Sequence, residues 1–192
     1  MKKLPSFYMI TDRKLSAKKT LVSVIRKALE QGIRLIQLRE KDLKTEELYA
    51  LAKKIKPLCK KYHAKLLINT RVDIALALNL DGVHLPEKSG TLSLNEVRLL
   101  LGPHKLIGQS THSLNEARRA KKNGADFITF GPIHATPSKR KMGVPLGFEP
   151  LKKVCRSVKI PVYALGGLTR TDLLKIKKTG SHGVAGIRTF IA

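Results

Sequence analysis

The chain reads as a closed (β/α)8 barrel, and three observations predict it. Eight short apolar runs recur along 192 residues, each uninterrupted, as strands buried on both faces should be. Helix-period stretches lie between them. Strand and helix therefore alternate as a parallel sheet requires, and eight such units within this length close into a barrel. An open doubly wound sheet would accommodate seven of the strands, but no GxGxxG fingerprint supports it. No linker interrupts the pattern, so 1–192 is expected to be one barrel.

The first strand is Phe7 to Thr11, and the helix Leu21 to Gln31 follows it, closed by Gly32. Glycine suits that position because a helix commonly ends on a left-handed residue. Leu35 to Leu38 is the second strand, and Thr45, three residues before Leu48, caps a helix running to Tyr62. The third and fourth strands are Lys65 to Ile68 and Gly82 to Leu85, with a helix start at RVDIA between them. Leu94 to Leu101, ended by Gly102, leads to the fifth strand, Lys105 to Gln109. Leu114 to Asn123, ended by Gly124, leads to the sixth, Phe127 to Phe130. The segment from Gly131 to Gly147 is too long for a plain turn, and its composition suits a mobile lid. Phe148 to Val158, Val162 to Leu165, Thr171 to Thr179 with Gly180, and Val184 to Ile187 complete the series. Only five residues follow Ile187, too few for a full eighth helix, so the seam over the last strand is expected to be apolar and a homodimer could cover it.

Charge and composition narrow the function. The formal net charge is +24, from 38 Lys plus Arg against 14 Asp plus Glu. The lysines spread over helical faces, aromatic residues are 5% with no Trp, and neither a base-stacking platform nor a DNA-binding motif is present. Specific nucleic-acid binding is not expected; the basic surface would instead draw in phosphorylated substrates. No apolar run approaches the roughly 20 residues of a membrane span, and the N-terminus lacks a signal-peptide core, so a cytoplasmic protein is expected. Cys59 and Cys155 have no paired spacing, which indicates neither a disulfide nor a zinc site.

In such barrels chemistry sits at the C-terminal ends of the strands. Gln37, Arg39 and Lys41 alternate after the second apolar run, and residues two apart in a strand lie about 6–7 Å apart on one side, the span of a diphosphate. Asp12, Arg13, Asn69, His84, Ser110 and His112 occupy equivalent positions, and Gly166, Gly167 and Gly186 to Arg188 follow the last two strands. There barrels commonly bind phosphate through backbone N–H groups.

The motifs YMITDR, QLREK, LLINTRVDIALALNLDGVHL, IGQSTHSLNEA, GPIHATPSKRKMGVPLG, PVYALGGL and GVAGI, in this order over nearly the whole chain, resemble the thiamine-phosphate synthase and TenI family. The resemblance implies a barrel that binds a thiazole phosphate. It implies that Gln37, Arg39, Lys41 and Asn69 hold the diphosphate end of a pyrimidine substrate, with His84 presenting a ring to the pyrimidine. Thr136, Ser138 and Lys139 would close over it, and Gly166, Gly167, Gly186, Ile187 and Arg188 would take the thiazole phosphate. His134, Ser110 and Lys139 are the candidate catalytic groups.

Two departures bear on the reaction. Synthases of this family hold magnesium with an Asp after the strand-three Asn and another shortly after the strand-four His; the positions here read Thr70 and Ser89, poor ligands for a hard dication. The reading that follows is a TenI-like, metal-independent thiazole tautomerase without a cofactor, with His134 as a general acid or base. A thiamine-phosphate synthase joining the pyrimidine diphosphate to the thiazole phosphate, with magnesium if needed, is the first alternative. A non-catalytic binder of thiazole or thiamine phosphate is the second.

Overall fold

The structure is a computed structural model and describes residues 4–16, 19–88, 92–135 and 144–191. Eight strands, β1 (Phe7–Ile10), β2 (Leu35–Leu38), β3 (Lys65–Asn69), β4 (Gly82–Leu85), β5 (Leu106–Thr111), β6 (Phe127–Phe130), β7 (Val162–Leu165) and β8 (Gly183–Gly186), form a closed barrel in sequence order. Every neighbouring pair is parallel, including β8 with β1. Closure removes the open-sheet alternative.

The outer layer holds α1 (Leu21–Glu30), α2 (Thr45–Lys61), α3 (Val72–Ala77), α4 (Leu94–Leu101), α5 (Leu114–Lys122), α6 (Phe148–Ser157), α7 (Leu173–Lys177) and α8 (Arg188–Ile191). Their apolar stripes meet the outward strand residues, Met9, Ile36, Ile68, Val83, Ile107, Ile128, Ala164 and Val184, in one continuous core. A second, smaller core fills the lumen with Tyr8, Leu35, Leu67, Leu106, Phe127, Tyr163 and Ala185. Strand alternation produces the two layers. Because the period is two, the same parity carries Gln37, Asn69, His84, Ser110 and Thr129 to the lumen side above the apolar plug. This parity positions the site.

Gly32, Gly102, Gly124 and Gly180 all adopt positive φ at helix ends, as their place in the sequence demands. Two boundaries differ from the sequence reading. Lys44, not Thr45, is the N-cap of α2, and its backbone N–H donates to Glu47 at 2.9 Å; a glutamate at the third helical position satisfies the end without a capping hydroxyl. The region read as a helix from Thr171 is a 3-10 turn, Arg170–Asp172, running into the five-residue α7.

The end of the chain forms no full eighth helix, as expected: α8 is one short turn. Phe190 makes it possible, being buried and edge-on to Phe7 at 5.8 Å, while Thr189 Oγ1 donates to the Leu168 carbonyl at 2.7 Å. One aromatic side chain thus covers apolar surface at the β8–β1 seam. Among the described residues no helix is long and apolar enough to cross a membrane. Cys59 is buried, and that burial pushes its thiol up to about 12, while Cys155 lies 3.3 Å from Ser181 Oγ; both are packing residues.

Candidate active site

A file of polar groups crosses the top of the lumen plug. Gln37 Nε2 donates to Tyr8 Oη at 2.8 Å, Tyr8 Oη lies 3.1 Å from His84 Nδ1, and His84 Nε2 lies 3.0 Å from Ser110 Oγ. Since Tyr8 accepts from Gln37, its own hydrogen is free for Nδ1. His84 then carries its hydrogen on Nε2 and donates to Ser110, which leaves the serine hydroxyl hydrogen for a ligand at the mouth. Burial, with a smaller contribution from the charge of Arg39, pushes His84 down to about 3, so the ring is neutral at physiological pH. Gly108 makes room for it: a Cβ there would come within 2.6 Å of His84 Nδ1 and 2.4 Å of the Phe127 ring.

Tyr8 was not singled out from sequence. The signal was available, because the parity that turns His84 inward also turns Tyr8 inward, and a buried tyrosine hydroxyl needs a partner.

Basic groups gather on the β2–β3 side of the mouth. The Thr11 hydroxyl accepts from the Arg39 backbone N–H at 2.9 Å and donates to buried Glu40 at 2.6 Å, and Glu40 also accepts from the Arg13 backbone N–H at 3.0 Å. Glu40 therefore turns away from the mouth and fixes the backbone between Arg39 and Lys41. Arg39 lowers the pKa of Lys41, with a further contribution from burial, which puts the two cations within electrostatic reach. Glu40, Lys41, Asn69, Thr70 and Arg71, with Leu38, Leu43 and Leu48, line a cavity of about 320 Å³ there. A further hollow of about 420 Å³, between Lys152, Arg156 and Lys178, lies on the outer wall and includes none of the strand-end residues.

On the opposite side, Gly166 and Gly167 take positive φ of 104° and 66°. A Cβ on Gly166 would lie 2.8 Å from Pro132 Cα, and one on Gly167 would lie 2.6 Å from His134 Cβ. These turns press directly on the segment after β6, and the His134 backbone N–H donates to the Gly166 carbonyl at 3.1 Å. Gly186 ends β8 beneath Thr189, Ile187 packs on the lumen core, and Arg188 is exposed. The His134 ring does not join the lumen file. It packs edge-on to Phe148 at 5.3 Å, and its charge lowers the pKa of Asp172, though hydrogen bonds from Thr169 do more. His112 Nδ1 lies 2.5 Å from the Gly131 carbonyl, a structural contact. Thr136, Ser138, Lys139 and Ser89 lie outside the described residues.

The family model described as thiamine monophosphate synthase matches residues 7–190. The chain belongs to the thiamine monophosphate synthase family. It is 49% identical over 188 residues to a protein of Aquifex aeolicus provisionally named a second thiamine-phosphate synthase, with 98% of each chain covered. It is 40% identical to a thiamine-phosphate synthase of Desulfitobacterium hafniense, covering 97% of this chain and 89% of that one. A solved thiamine phosphate pyrophosphorylase from Pyrococcus furiosus superposes with a TM-score of 0.85 at 36% identity, covering 97% of this chain and 87% of the other. The protein is an enzyme of this family, and its relatives are named as synthases, which favours the synthase alternative over the tautomerase preferred from the sequence.

Family membership makes the donor set for magnesium a direct question, and the side chains do not fit a hard dication. The Thr70 hydroxyl donates to the Asn69 carbonyl at 2.7 Å. Asp73 receives Arg71 on both oxygens, and Glu87 receives Arg119 at 2.6 Å. Among the described residues no three His, Cys, Asp or Glu side chains form a metal-binding group.

Proposed function

We propose that this protein is a thiamine-phosphate synthase. It moves the methylene carbon of a hydroxymethylpyrimidine diphosphate onto the ring nitrogen of a thiazole phosphate. The C–O bond to diphosphate breaks with its electron pair leaving on the diphosphate, and the nitrogen lone pair forms the new C–N bond. No proton has to move in that step.

The observation that carries this reading is the similarity along nearly the whole chain to proteins named thiamine-phosphate synthase, and the buried His84 is in keeping with it. Held at about 3 by burial, it is a poor base at neutral pH, which suits a reaction that needs orientation and charge rather than proton transfer. In this mechanism Gln37, Tyr8 and His84 form a fixed polar floor, and Ser110 offers its hydroxyl to the pyrimidine. Arg39, Lys41 and Asn69 bind the diphosphate, whose departure needs its developing charge neutralised. Each close charge contact contributes about 4 kcal/mol at an effective dielectric near 20. Gly166, Gly167 and Gly186, with Ile187 and Arg188, take the ester phosphate of the thiazole.

Incubation with pyrimidine diphosphate and thiazole phosphate, followed by chromatography, tests this directly. Thiamine phosphate is the expected product. Absence of thiamine phosphate, with conversion of one thiazole carboxylate phosphate isomer into another, would return the tautomerase.

A further inference from the structure

Three observations at the β2–β3 mouth point to one conclusion. First, among the described residues neither Arg39 nor Lys41 makes an ion pair. Glu40, which stands between them in sequence, spends its carboxylate on Thr11 and Arg13. Two cations in mutual repulsion, neither of them paired to a carboxylate among the described residues, are poised for an anion. Second, Asp73 and Glu87, the acids next in sequence to Thr70 and Ser89, are already engaged by arginines, Asp73 by Arg71 and Glu87 by Arg119. Third, Thr70 has φ +62°. A β-branched residue is rarely found there, and such strain persists where neighbouring structure imposes it, often at functional sites. The turn thus keeps a left-handed shape while presenting a hydroxyl that donates to Asn69 instead of a carboxylate.

We infer that the diphosphate site works without a divalent cation, with Arg39 and Lys41 supplying the positive charge that a metal would otherwise bring, and Asn69 and Thr70 serving only as neutral hydrogen-bonding groups. The inference rests on the synthase reading for its ligand. It requires of the site only that it bind a free diphosphate. Guanidinium and ammonium donors match phosphate oxygens in charge and geometry, and the cavity of about 320 Å³ opens beside them.

Titration calorimetry of the full chain with inorganic pyrophosphate tests it, once in EDTA and once in excess magnesium. The expected affinities agree within about twofold, and Lys41→Gln weakens binding by about tenfold or more, the effect of losing one charge-assisted contact. Lys41 is exposed, and an unchanged circular dichroism melt confirms that the variant folds. As a second variant, Arg39→Gln should lose affinity similarly. Binding that appears only with magnesium, or Lys41→Gln and Arg39→Gln binding like the parent, would overturn the inference. The two readings separate cleanly. Pyrophosphate bound in EDTA without any condensation removes the synthase and keeps the site, whereas condensation that runs only with magnesium keeps the synthase and removes the inference.

Discussion

Tyr8 Oη and His84 Nδ1 meet at 3.1 Å inside the barrel, 76 residues apart in sequence. The contact joins β1 to β4 across the lumen, and it fixes which ring nitrogen carries hydrogen. Gln37 donates to the tyrosine from one side and Ser110 stands at the far nitrogen of the histidine. The orientation of the serine hydroxyl at the mouth is therefore set from the opposite wall.

Replacing Tyr8 by Phe strands two buried polar groups, the Gln37 amide and His84 Nδ1. Leaving such groups without partners costs about 1–3 kcal/mol each. Urea unfolding should show a loss of about 2–6 kcal/mol for the two groups together, and turnover should fall by roughly tenfold, corresponding to about 1.4 kcal/mol of misorientation at Ser110. Unchanged stability would mean that the file is not formed.

His84 also makes a pH prediction. Its pKa drops from 6.5 in the free side chain to about 3 in the fold. Between these values the unfolded chain binds the proton and the folded chain does not, so stability falls as pH is lowered through that window, by at most about 1.4 kcal/mol per pH unit. Above 6.5 the group contributes no pH dependence. Chemical denaturation between about pH 4.5 and 6.5, where carboxylates are largely ionised, should show the slope in the parent and a shallower one in His84→Gln.

Glu40 acts on Arg39 through Thr11 and is a positioning residue. In Glu40→Gln one of the two acceptor oxygens becomes an amide, so either the Thr11 hydroxyl or the Arg13 N–H loses its partner. Stability should fall by about 1–3 kcal/mol. Steady-state kinetics should show KM for the pyrimidine diphosphate rising more than kcat falls, because the binding backbone loosens while the polar floor stays intact.

Gly166→Ala forces a Cβ to within 2.8 Å of the Pro132 backbone at φ 104°. The expected cost is at least about 1–3 kcal/mol, and KM for the thiazole phosphate rises. Thr70→Asn runs the other way: asparagine tolerates the left-handed region, so the variant should melt higher, by about 0.5–1 kcal/mol in unfolding free energy.

The barrel was legible because its signals are local. Apolar runs such as Phe127–Phe130 need no partner to be recognised, and the glycines at 32, 102, 124 and 180 mark helix ends by their own conformational freedom. The ring of strand-end residues followed from the fold. What was not legible depends on neighbours distant in sequence. Tyr8 looks like an ordinary strand residue until His84 and Gln37 are brought to it, and His134 looks like a mouth histidine until Phe148 takes its ring. The seam was expected to be apolar, and the aromatic that covers part of it, Phe190, could not be placed there from the sequence alone. The reaction was weighed on a few positions, Thr70 and Ser89 among them, whereas similarity along the whole chain favours the synthases.

A crystal structure with thiamine phosphate and pyrophosphate soaked together tests most directly whether two anion sites share one mouth. Pyrophosphate should lie between Arg39, Lys41 and Asn69, the ester phosphate on the turns at Gly166, Gly167 and Gly186, and the pyrimidine over His84 beside Ser110. An ester phosphate bound elsewhere, or a pyrimidine that makes no contact with the polar file, would contradict the mechanism.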